Sequence, residues 1–373
     1  MFDNPLGVRF MLWLGATVPQ PAPYPLALAF SRAEVTSESG QTGDGFQITF
    51  SAGRDGVLDY LAVSHPLLQP KSRVILAVVF GAVPEVLIDG IITHGQFDPG
   101  TAPGLGTLTV SGRDLSVLMD LEERDDTHPN QADFTVVAKI INRYSQYGLM
   151  PSPSPTFDVP LMLERTPNQQ ATDLEYLRAL AEQNGYVFYL EPVSLGVTLA
   201  YFGPRPQTGP LQPPLSVNLG VASNVKSIHF AADALAAVGA RGEVLEPRTR
   251  MMIPIPQLPS LRVPPLAAKP VTPLRTRRQR EASQQGIGKA ATQLLAAGVN
   301  APDPYTAQGE LDSVRYGHVL RARRPVGLRG AGWTHDGLWM VRSVTHAVSR
   351  QGYSQQFQLG RDGEGSLTPV LPG

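Results

Sequence analysis

Short runs of alternating apolar and polar residues lie in the first third of this 373-residue chain, and they constrain its fold most strongly. Phe46, Ile48 and Phe50 are each followed by a polar residue, and Leu108 and Val110 repeat the pattern. A period of two directs one side of a strand toward a core and the other toward solvent. The pattern therefore predicts half-buried β-strands.

Further strands are predicted where short apolar runs lie between turn residues. They fall at 74–80, 86–93, 186–190, 197–202, 225–230, 338–348 and 354–359. Composition points the same way, because only 17% of residues are charged while the chain has 36 Gly and 35 Pro. Few charges and many turn formers favour short strands and loops over long surface helices.

Helical patterns are concentrated in the middle of the chain. Thr172 and Glu175 have the spacing of a capping box, the leucines at 174, 177 and 180 share one face, and Gly185 ends this helix. Apolar residues over 134–144, with a glycine stop at 148, predict a helix before it. A further helix, weakened by nearby glycines, is predicted around 290–295.

These patterns predict an α+β, mostly β fold in three parts. Residues 1–125 form a first β-rich domain, 126–210 a mixed α/β insert, and 211–373 a second β-rich domain. Prolines are frequent over 252–274 and arginines follow them, so 252–280 is predicted to be an extended Pro/Arg-rich linker or loop.

Signatures of catalysis are largely missing from the sequence. It contains no Walker A loop, no G-x-S-x-G elbow and no H-E-x-x-H zinc motif. The absence of cysteine excludes disulfides and thiolate metal sites. The acidic run 122–126 has three interpretations: a solvated face, oxygen ligands for a cation, or the paired carboxylates of a glycosidase. We expect the solvated face, with no catalytic residue, metal or cofactor.

Two arginine clusters are the candidate partner-binding residues. They comprise Arg275, Arg277, Arg278 and Arg280, and then Arg321, Arg323 and Arg324 with Arg329 nearby. Guanidinium groups bind carboxylate or phosphate in a bidentate manner, so an acidic partner or a nearby nucleic acid is one interpretation. Solvated surface charge is the other. No aromatic residues interleave the first cluster, which argues against base stacking.

The net charge and the distribution of apolar residues indicate which partners and which cellular location to expect. The net charge of −1 argues weakly against a free nucleic-acid binder. The apolar start of the chain is broken by Gly7 and Arg9, which makes a poor signal peptide. No stretch reaches 18 uninterrupted apolar residues. We expect assembly in the bacterial cytoplasm and no membrane contact by the free protein.

Four segments of the sequence resemble the phage late-control D family, which also includes the hub part of VgrG spikes. Residues 168–189 resemble its S-D-x-x-F-L-x-x-L-A-E-x-x-G-Y-x-F-Y segment. Residues 89–93 with 110–116 resemble its G-x-I-x and V-x-G-x-D-x-S pair, and residues 136–149 resemble its V-A-x-x-I-A-x-x-Y-G-L helix. Residues 337–346 with 352–357 resemble G-x-Y-x-V-x-S-V-x-H and G-Y-x-T-x-F. The four segments occur in the family's order.

The resemblance implies a structural baseplate hub of a contractile tail or phage-tail-like injection system. In that family two tube-like β-barrel domains flank a mixed insert, and three subunits place six barrels in a ring. Such a homotrimer adapts a hexameric tail tube to a trimeric spike. Tail tube, spike and baseplate wedge proteins are the implied partners, with a tape-measure protein or effector as a further one.

The sequence also departs from the spikes of that family. VgrG chains continue into an OB-fold and a β-helical needle, whereas this chain ends at Gly373, so a separate spike protein is expected. Three alternatives stay open: a tail-associated protein of a non-contractile phage, a cell-wall-degrading tail enzyme, and a DNA-contacting portal or ejection factor, which the arginines suggest.

Overall fold

The computed structural model describes most of the chain and is mainly β, with 50% strand and 17% helix. The described residues are 2–3, 8–40, 43–53, 60–81, 83–101, 105–156, 168–245, 252–258, 264–279 and 302–367. The mostly-β prediction is confirmed.

Strands occur in all parts of the described chain. They are β1 (Phe2–Asp3), β2 (Arg9–Gly15), β3 (Gln20–Pro21), β4 (Phe30–Glu38), β5 (Gly45–Ser51), β6 (Arg73–Phe80), β7 (Val83–Asp98), β8 (Thr107–Asp114), β9 (Glu123–Thr127), β10 (Leu149–Pro153), β11 (Asn168–Thr172), β12 (Val187–Ser194), β13 (Val197–Gly203), β14 (Gln212–Ser216), β15 (Val225–Ala232), β16 (Val238–Leu245), β17 (Met252–Leu258), β18 (Lys269–Pro270), β19 (Arg275–Gln279), β20 (Tyr305–Leu311), β21 (Pro325–Arg329), β22 (Gly337–Ser349), β23 (Tyr353–Arg361) and β24 (Gly363–Glu364).

Helices are short and few among the described residues. The α-helices are α1 (Tyr24–Ala29), α2 (Leu61–Ser64), α3 (Asp133–Asn142), α4 (Asp173–Gln183) and α5 (Ser313–Tyr316). The 3-10 turns are Pro66–Leu68, Leu115–Asp120, Ser145–Tyr147 and Gly220–Ala222. Helix α4 has the predicted capping box, in which the Thr172 hydroxyl accepts from the Glu175 amide at 3.2 Å. The predicted helix over 134–144 ends earlier, at Asn142, and a 3-10 turn then leads to Gly148.

One 14-stranded sheet joins the two β-rich parts of the chain. Its main path runs β1-β2-β6-β7-β8-β5-β4-β22-β23-β20-β15. Antiparallel pairing of β4 with β22 forms the seam between the parts, in a register that places Thr36 opposite Thr345. The predicted pair of separate barrels is not seen, because within the described residues the strands of both parts share this sheet and none of the sheets closes.

Three apolar clusters make up most of the core. The first packs residues between Val8 and Val110 and also includes Val348 and Tyr353 from the far end of the chain. The second packs α3 and α4 on the small sheet β10-β13-β12. The third lies between Leu215 and Leu359. The domain boundaries predicted at 125 and 210 stay a prediction.

Strand β6 shows why its sequence is a continuous apolar run. Val74, Leu76 and Val78 point into the first core, whereas Ile75 and Ala77 belong to a smaller cluster on the opposite side, against which Trp13 packs. Because both faces of β6 are buried, the period-two pattern of a half-buried strand is lost.

The Pro/Arg-rich segment 252–280 departs from the predicted loop. Met252–Leu258 and Arg275–Gln279 are strands that pair with β16, antiparallel and parallel respectively. Proline is tolerated on β17 because the strand lies at the edge of this small sheet and needs no donor on its outer side. The prediction of a loop was therefore wrong for these residues. The predicted helix near 290–295 lies outside the described residues.

Among the described residues, no helix has the length and apolar character needed to cross a membrane.

Candidate interaction surface

One face of the large sheet is polar across eight consecutive strands, from β7 through the seam to β15. We call this surface the polar face. Its outward side chains are His94, Gln96 and Asp98 on β7; Thr107, Thr109, Ser111 and Arg113 on β8; Gln47, Thr49 and Ser51 on β5; Arg32, Glu34 and Thr36 on β4; Ser343, Thr345, Ala347 and Ser349 on β22; Ser354, Gln356 and Gln358 on β23; Thr306, Gln308 and Glu310 on β20; and Ser227, His229 and Ala231 on β15. Seven inter-strand spacings of about 4.8 Å give it a width of about 34 Å.

Alternation along each strand creates this face. On β5, Ile48 is fully buried while the flanking Gln47 and Thr49 point outward. On β22, Val344 is fully buried between Ser343 and Thr345. The strands pair in register with matching phase, so all outward positions fall on the same side of the sheet.

Uncharged hydrogen-bonding groups dominate the polar face. Of its 26 positions, 17 are Ser, Thr or Gln, two are His, two are Ala and five carry a charge. Cross-strand hydroxyl pairs link neighbouring strands, with the Thr36 and Thr345 oxygens 3.3 Å apart across the seam. Thr49 and Thr109 form a second such pair at 3.2 Å. Such pairs stabilise a sheet modestly and hold their side chains in a fixed arrangement.

The charges on this face are balanced. Arg32 pairs with Glu34 at 2.8 Å on the same strand. Glu310 pairs at 2.9 Å with Lys226, which adjoins the face on β15. Arg113 and Asp98 add one charge of each sign. The polar face therefore has a formal charge close to zero.

The part of the polar face near β15 is concave. An open depression of about 380 Å³ lies over β15, β20, β23 and β22. Ser227, His229, Gln308, Gln356 and Ser343 are among its lining residues.

The second arginine cluster lies where the three parts of the chain meet. Arg321 donates to the Val86 carbonyl at 3.0 Å and to Glu85 at 3.3 Å, both on β7. Arg324 forms an ion pair with Glu191 of β12. Arg329 donates to the Ser216 hydroxyl at 2.7 Å. These guanidinium groups therefore bind acceptors within the chain, and contact with an external partner stays a prediction.

Arg323 is the most deeply buried member of this cluster. Its guanidinium lies 4.4 Å from the ring centre of Tyr189 and donates to Asp44, so one side chain contacts the insert and the first β-rich part. Its backbone φ is +66°, a conformation that is uncommon outside glycine and asparagine. The sequence marked this residue as charged but gave no sign of its partners.

Three residues of the first arginine cluster lie on the three-stranded sheet β17-β16-β19. Arg275, Arg277 and Arg278 are on β19, where the Arg275 side chain is exposed. Arg280 lies outside the described residues. The proposed role of this cluster in partner binding stays a prediction.

Residues 123–126 of the acidic run 122–126 lie on β9, which pairs with β11. Asp126 forms an ion pair with Arg143, whose guanidinium also donates to Asp173 at 3.1 Å. The Arg143 hydrogen bond lowers the pKa of Asp126 below its usual range. Within the described residues, no cluster of three or more His, Asp or Glu side chains is arranged to hold a metal ion.

Structural comparison relates this architecture to tail proteins. A tail protein from Neisseria meningitidis MC58 superposes with a TM-score of 0.63 at 13% identity, over 95% of this chain and 97% of that one. A 43 kDa tail protein of prophage MuSo2 from Shewanella oneidensis gives 0.63 at 12%, over 95% and 98%. The chain shares its fold with these two tail proteins.

A third similar structure extends this fold to secretion systems. An E. coli component of the type VI secretion system, described as structurally similar to the T4 tail proteins gp27 and gp5, gives a TM-score of 0.53 at 12% identity. The match covers 92% of this chain and 77% of that one. No protein-family model and no curated protein matches the sequence.

Sequence reasoning missed the polar face as a unit. The alternation on β5, β8, β22 and β23 was visible, but the pairing of β4 with β22 joins segments about 300 residues apart and leaves no local signal. The richness of outward positions in Ser, Thr and Gln was the signal that could have revealed it.

Proposed function

We propose that this chain is the structural hub subunit of the baseplate of a contractile tail or phage-tail-like injection system. The fold shared with tail proteins over nearly the whole chain supports this role. The polar face is the observation that carries the proposal, because a hub must present a continuous hydrophilic wall to whatever passes through the particle.

Composition of the polar face fits a channel wall better than an ordinary solvated surface. A surface designed for solubility carries about 25–35% charged residues. Here five of 26 positions are charged and Lys is absent from them. Short uncharged side chains provide a wetted surface that neither narrows a channel nor binds passing charge strongly.

Three subunits would form a ring in this proposal. Strand β15 ends the path of the large sheet within the described strands, and its exposed residues offer an edge to a neighbouring subunit. Two β-rich parts per subunit would then present six similar units toward a hexameric tail tube. A separate trimeric spike would bind the opposite side, and wedge proteins would surround the ring.

Oligomeric state is the first test. Light scattering at several concentrations should give about three times the 40.2 kDa chain mass, either alone or with the spike protein. A stable dimer that persists in the presence of spike protein contradicts the hub.

Thiol protection tests the channel directly, because the natural chain has no cysteine. We propose Gln356→Cys on the polar face and Val193→Cys on β12 as a matched, exposed control. In assembled particles, a small thiol reagent should label both cysteines, while a large polymer-linked maleimide should label only the control. Equal labelling by the large reagent would show that the polar face is on the outside.

The first arginine cluster provides a test of partner binding. Replacing Arg275, Arg277, Arg278 and Arg280 by Ser should weaken capture of an acidic neighbouring protein while trimers still form. Normal particle assembly by this variant contradicts a binding role for these residues.

Two alternatives are separated from the hub by simple observations. A sheath gene beside the coding gene favours a contractile tail over a non-contractile one. Hydrolysis of purified cell walls by the protein would support the tail-enzyme alternative, for which the only motivation is the acidic run 122–126.

A further inference from the structure

We infer that a recess lined by residues 204–210 binds a small carboxylate that also carries an amide, which is the chemistry of an N-acyl amino acid. We call it the junction recess. The residues that line it are not those of the polar face, so the inference does not depend on the channel proposed above.

The junction recess lies where the insert meets the last β-rich part of the chain. Its volume is about 700 Å³, within the range of about 300–1,000 Å³ that small-molecule sites occupy. Tyr189 and Glu191 of β12 and Tyr201 of β13 line one part of it, and Arg323 and Arg324 line another. A small molecule bound here would therefore contact both parts of the chain.

Gln207 is the lining residue that indicates a ligand. The residue is 9% exposed, and neither its Oε1 nor its Nε2 has a hydrogen-bond partner among the described residues. Buried polar side chains are paired in most native proteins, because an unpaired amide loses its hydrogen bonds to water without replacement. A carboxamide has both donor and acceptor capacity. An amide group on a ligand is complementary to it and would provide the missing partners.

The charge of the junction recess favours an anion. Three guanidinium groups line it, those of Arg205, Arg323 and Arg324. Glu191 contributes one carboxylate, and Asp44 adds a second through its ion pair with Arg323. Three positive and two negative charges leave a net charge of +1, which matches one carboxylate on the ligand. Guanidinium groups bind carboxylates with two parallel hydrogen bonds.

A nucleotide fits the junction recess less well than an N-acyl amino acid does. Tyr189 is 8% exposed, with the Arg323 guanidinium 4.4 Å and the Tyr201 ring 4.9 Å from its ring centre. Tyr189 therefore offers no open face on which a base could stack. The Glu191 carboxylate would also repel a phosphate dianion more strongly than it repels a carboxylate.

Thermal unfolding of the full chain tests the inference, because a ligand that binds only the folded protein raises its unfolding temperature. The probes are N-acetylglycine, N-acetylalanine and N-acetylphenylalanine. We expect at least one of them to raise the unfolding temperature progressively with concentration. Acetate lacks the amide and N-acetylalanine amide lacks the carboxylate, so each should bind about tenfold more weakly or worse. Inorganic phosphate and adenosine monophosphate are the competing ligands.

Variants of Gln207 test the location of the site. Gln207→Leu removes the amide at similar size, so binding should weaken about tenfold or more. Without ligand this variant should be at least as stable as the wild type, because an apolar group replaces an unpaired buried amide. Gln351→Leu, at an exposed position between β22 and β23, is the matched control and should bind like the wild type. Gln207→Glu is the second variant if Gln207→Leu does not fold, and its carboxylate should repel the ligand.

Each contrary outcome overturns a defined part of the inference. No change in unfolding temperature with any of the three probes overturns the ligand site. A larger change with phosphate or adenosine monophosphate overturns the chemical class of the ligand. Unchanged binding by the Gln207 variants overturns its location. The hub is tested separately, by chain mass and by labelling of assembled particles, so it stands or fails independently of these results.

Discussion

The Arg323 guanidinium donates two hydrogen bonds to the Asp44 carboxylate, at 2.6 Å and 3.3 Å, across 279 residues of sequence. Both side chains are nearly buried, with exposures of 6% and 4%. Tyr189 stacks beneath the guanidinium. This pair therefore connects the first β-rich part, the insert and the last β-rich part at a single point.

Removing Asp44 should destabilise the protein strongly. Asp44→Ala leaves the Arg323 charge buried without its partner, and loss of one member of a buried pair costs about 3–5 kcal/mol in unfolding free energy. Arg32→Ala is the control, because its partner Glu34 is exposed and such pairs contribute about 0–1 kcal/mol. Urea unfolding measures both. Similar losses in the two variants would show that the buried pair has no special role.

The capping box of α4 should contribute a measurable part of the stability of the insert. Thr172→Ala removes the hydroxyl that accepts from the Glu175 amide and donates to Asp120 at 2.9 Å. Loss of such a cap costs about 1 kcal/mol. Thr172→Ser keeps the hydroxyl and should retain most of the stability, while Thr208→Ala, at an exposed position between β13 and β14, is the neutral control. A serine variant as unstable as the alanine variant contradicts this role.

Local signals explain what the sequence could predict. The capping box, the alternating strands and the glycine stops depend on residues within a few positions of one another, and each was recognisable before the structure. Strand β17 was not predicted because the prolines at 254 and 256 are uncommon inside strands, although proline is tolerated at a sheet edge.

Long-range pairing explains what the sequence could not predict. The seam between β4 and β22 joins segments about 300 residues apart, and nothing in either segment specifies the other. The partners of Arg321, Arg323 and Arg324 could not be predicted either, because the sequence shows these arginines only as a cluster of like charges. The polar face depends on the seam, so it could not be assembled from strand patterns alone.

Gly112 should be intolerant of any side chain. A Cβ at this position would lie 2.0 Å from the Ile91 carbonyl oxygen and 2.6 Å from the Phe46 ring. Because a backbone atom must move, Gly112→Ala should cost about 1–3 kcal/mol in unfolding free energy.

Gly95 provides the matched control, since it lies on the adjacent strand β7 and a Cβ there meets nothing within 4 Å. Gly95→Ala should change stability by no more than about 0.5 kcal/mol. Thermal unfolding of both variants measures the contrast. Equal stability of the two would mean that the close approach of β7 and β8 is not maintained in solution.

His346 should make the stability of the fold dependent on pH. Its ring is buried between the sheet strands, 2.8 Å from the Tyr353 hydroxyl, and burial, with Arg321 nearby, lowers its pKa from 6.5 to about 3. As the pH falls below about 6.5, the unfolded chain therefore binds a proton at His346 that the folded chain does not bind. Stability should fall as pH drops from 6.5 toward 5, by at most about 1.4 kcal/mol per pH unit from this group.

Replacing His346 by Gln isolates this contribution. The variant loses packing against Tyr353 and is expected to be less stable at pH 7, but its stability should decline less steeply on acidification. Burial also lowers the pKa of His128 and His335, so both proteins retain part of the slope and only the difference belongs to His346. Urea unfolding at pH 7.0, 6.0 and 5.0 provides the comparison, with the exposed His229→Gln as control. Parallel pH profiles for the wild-type and His346→Gln proteins would place the His346 ring in contact with water.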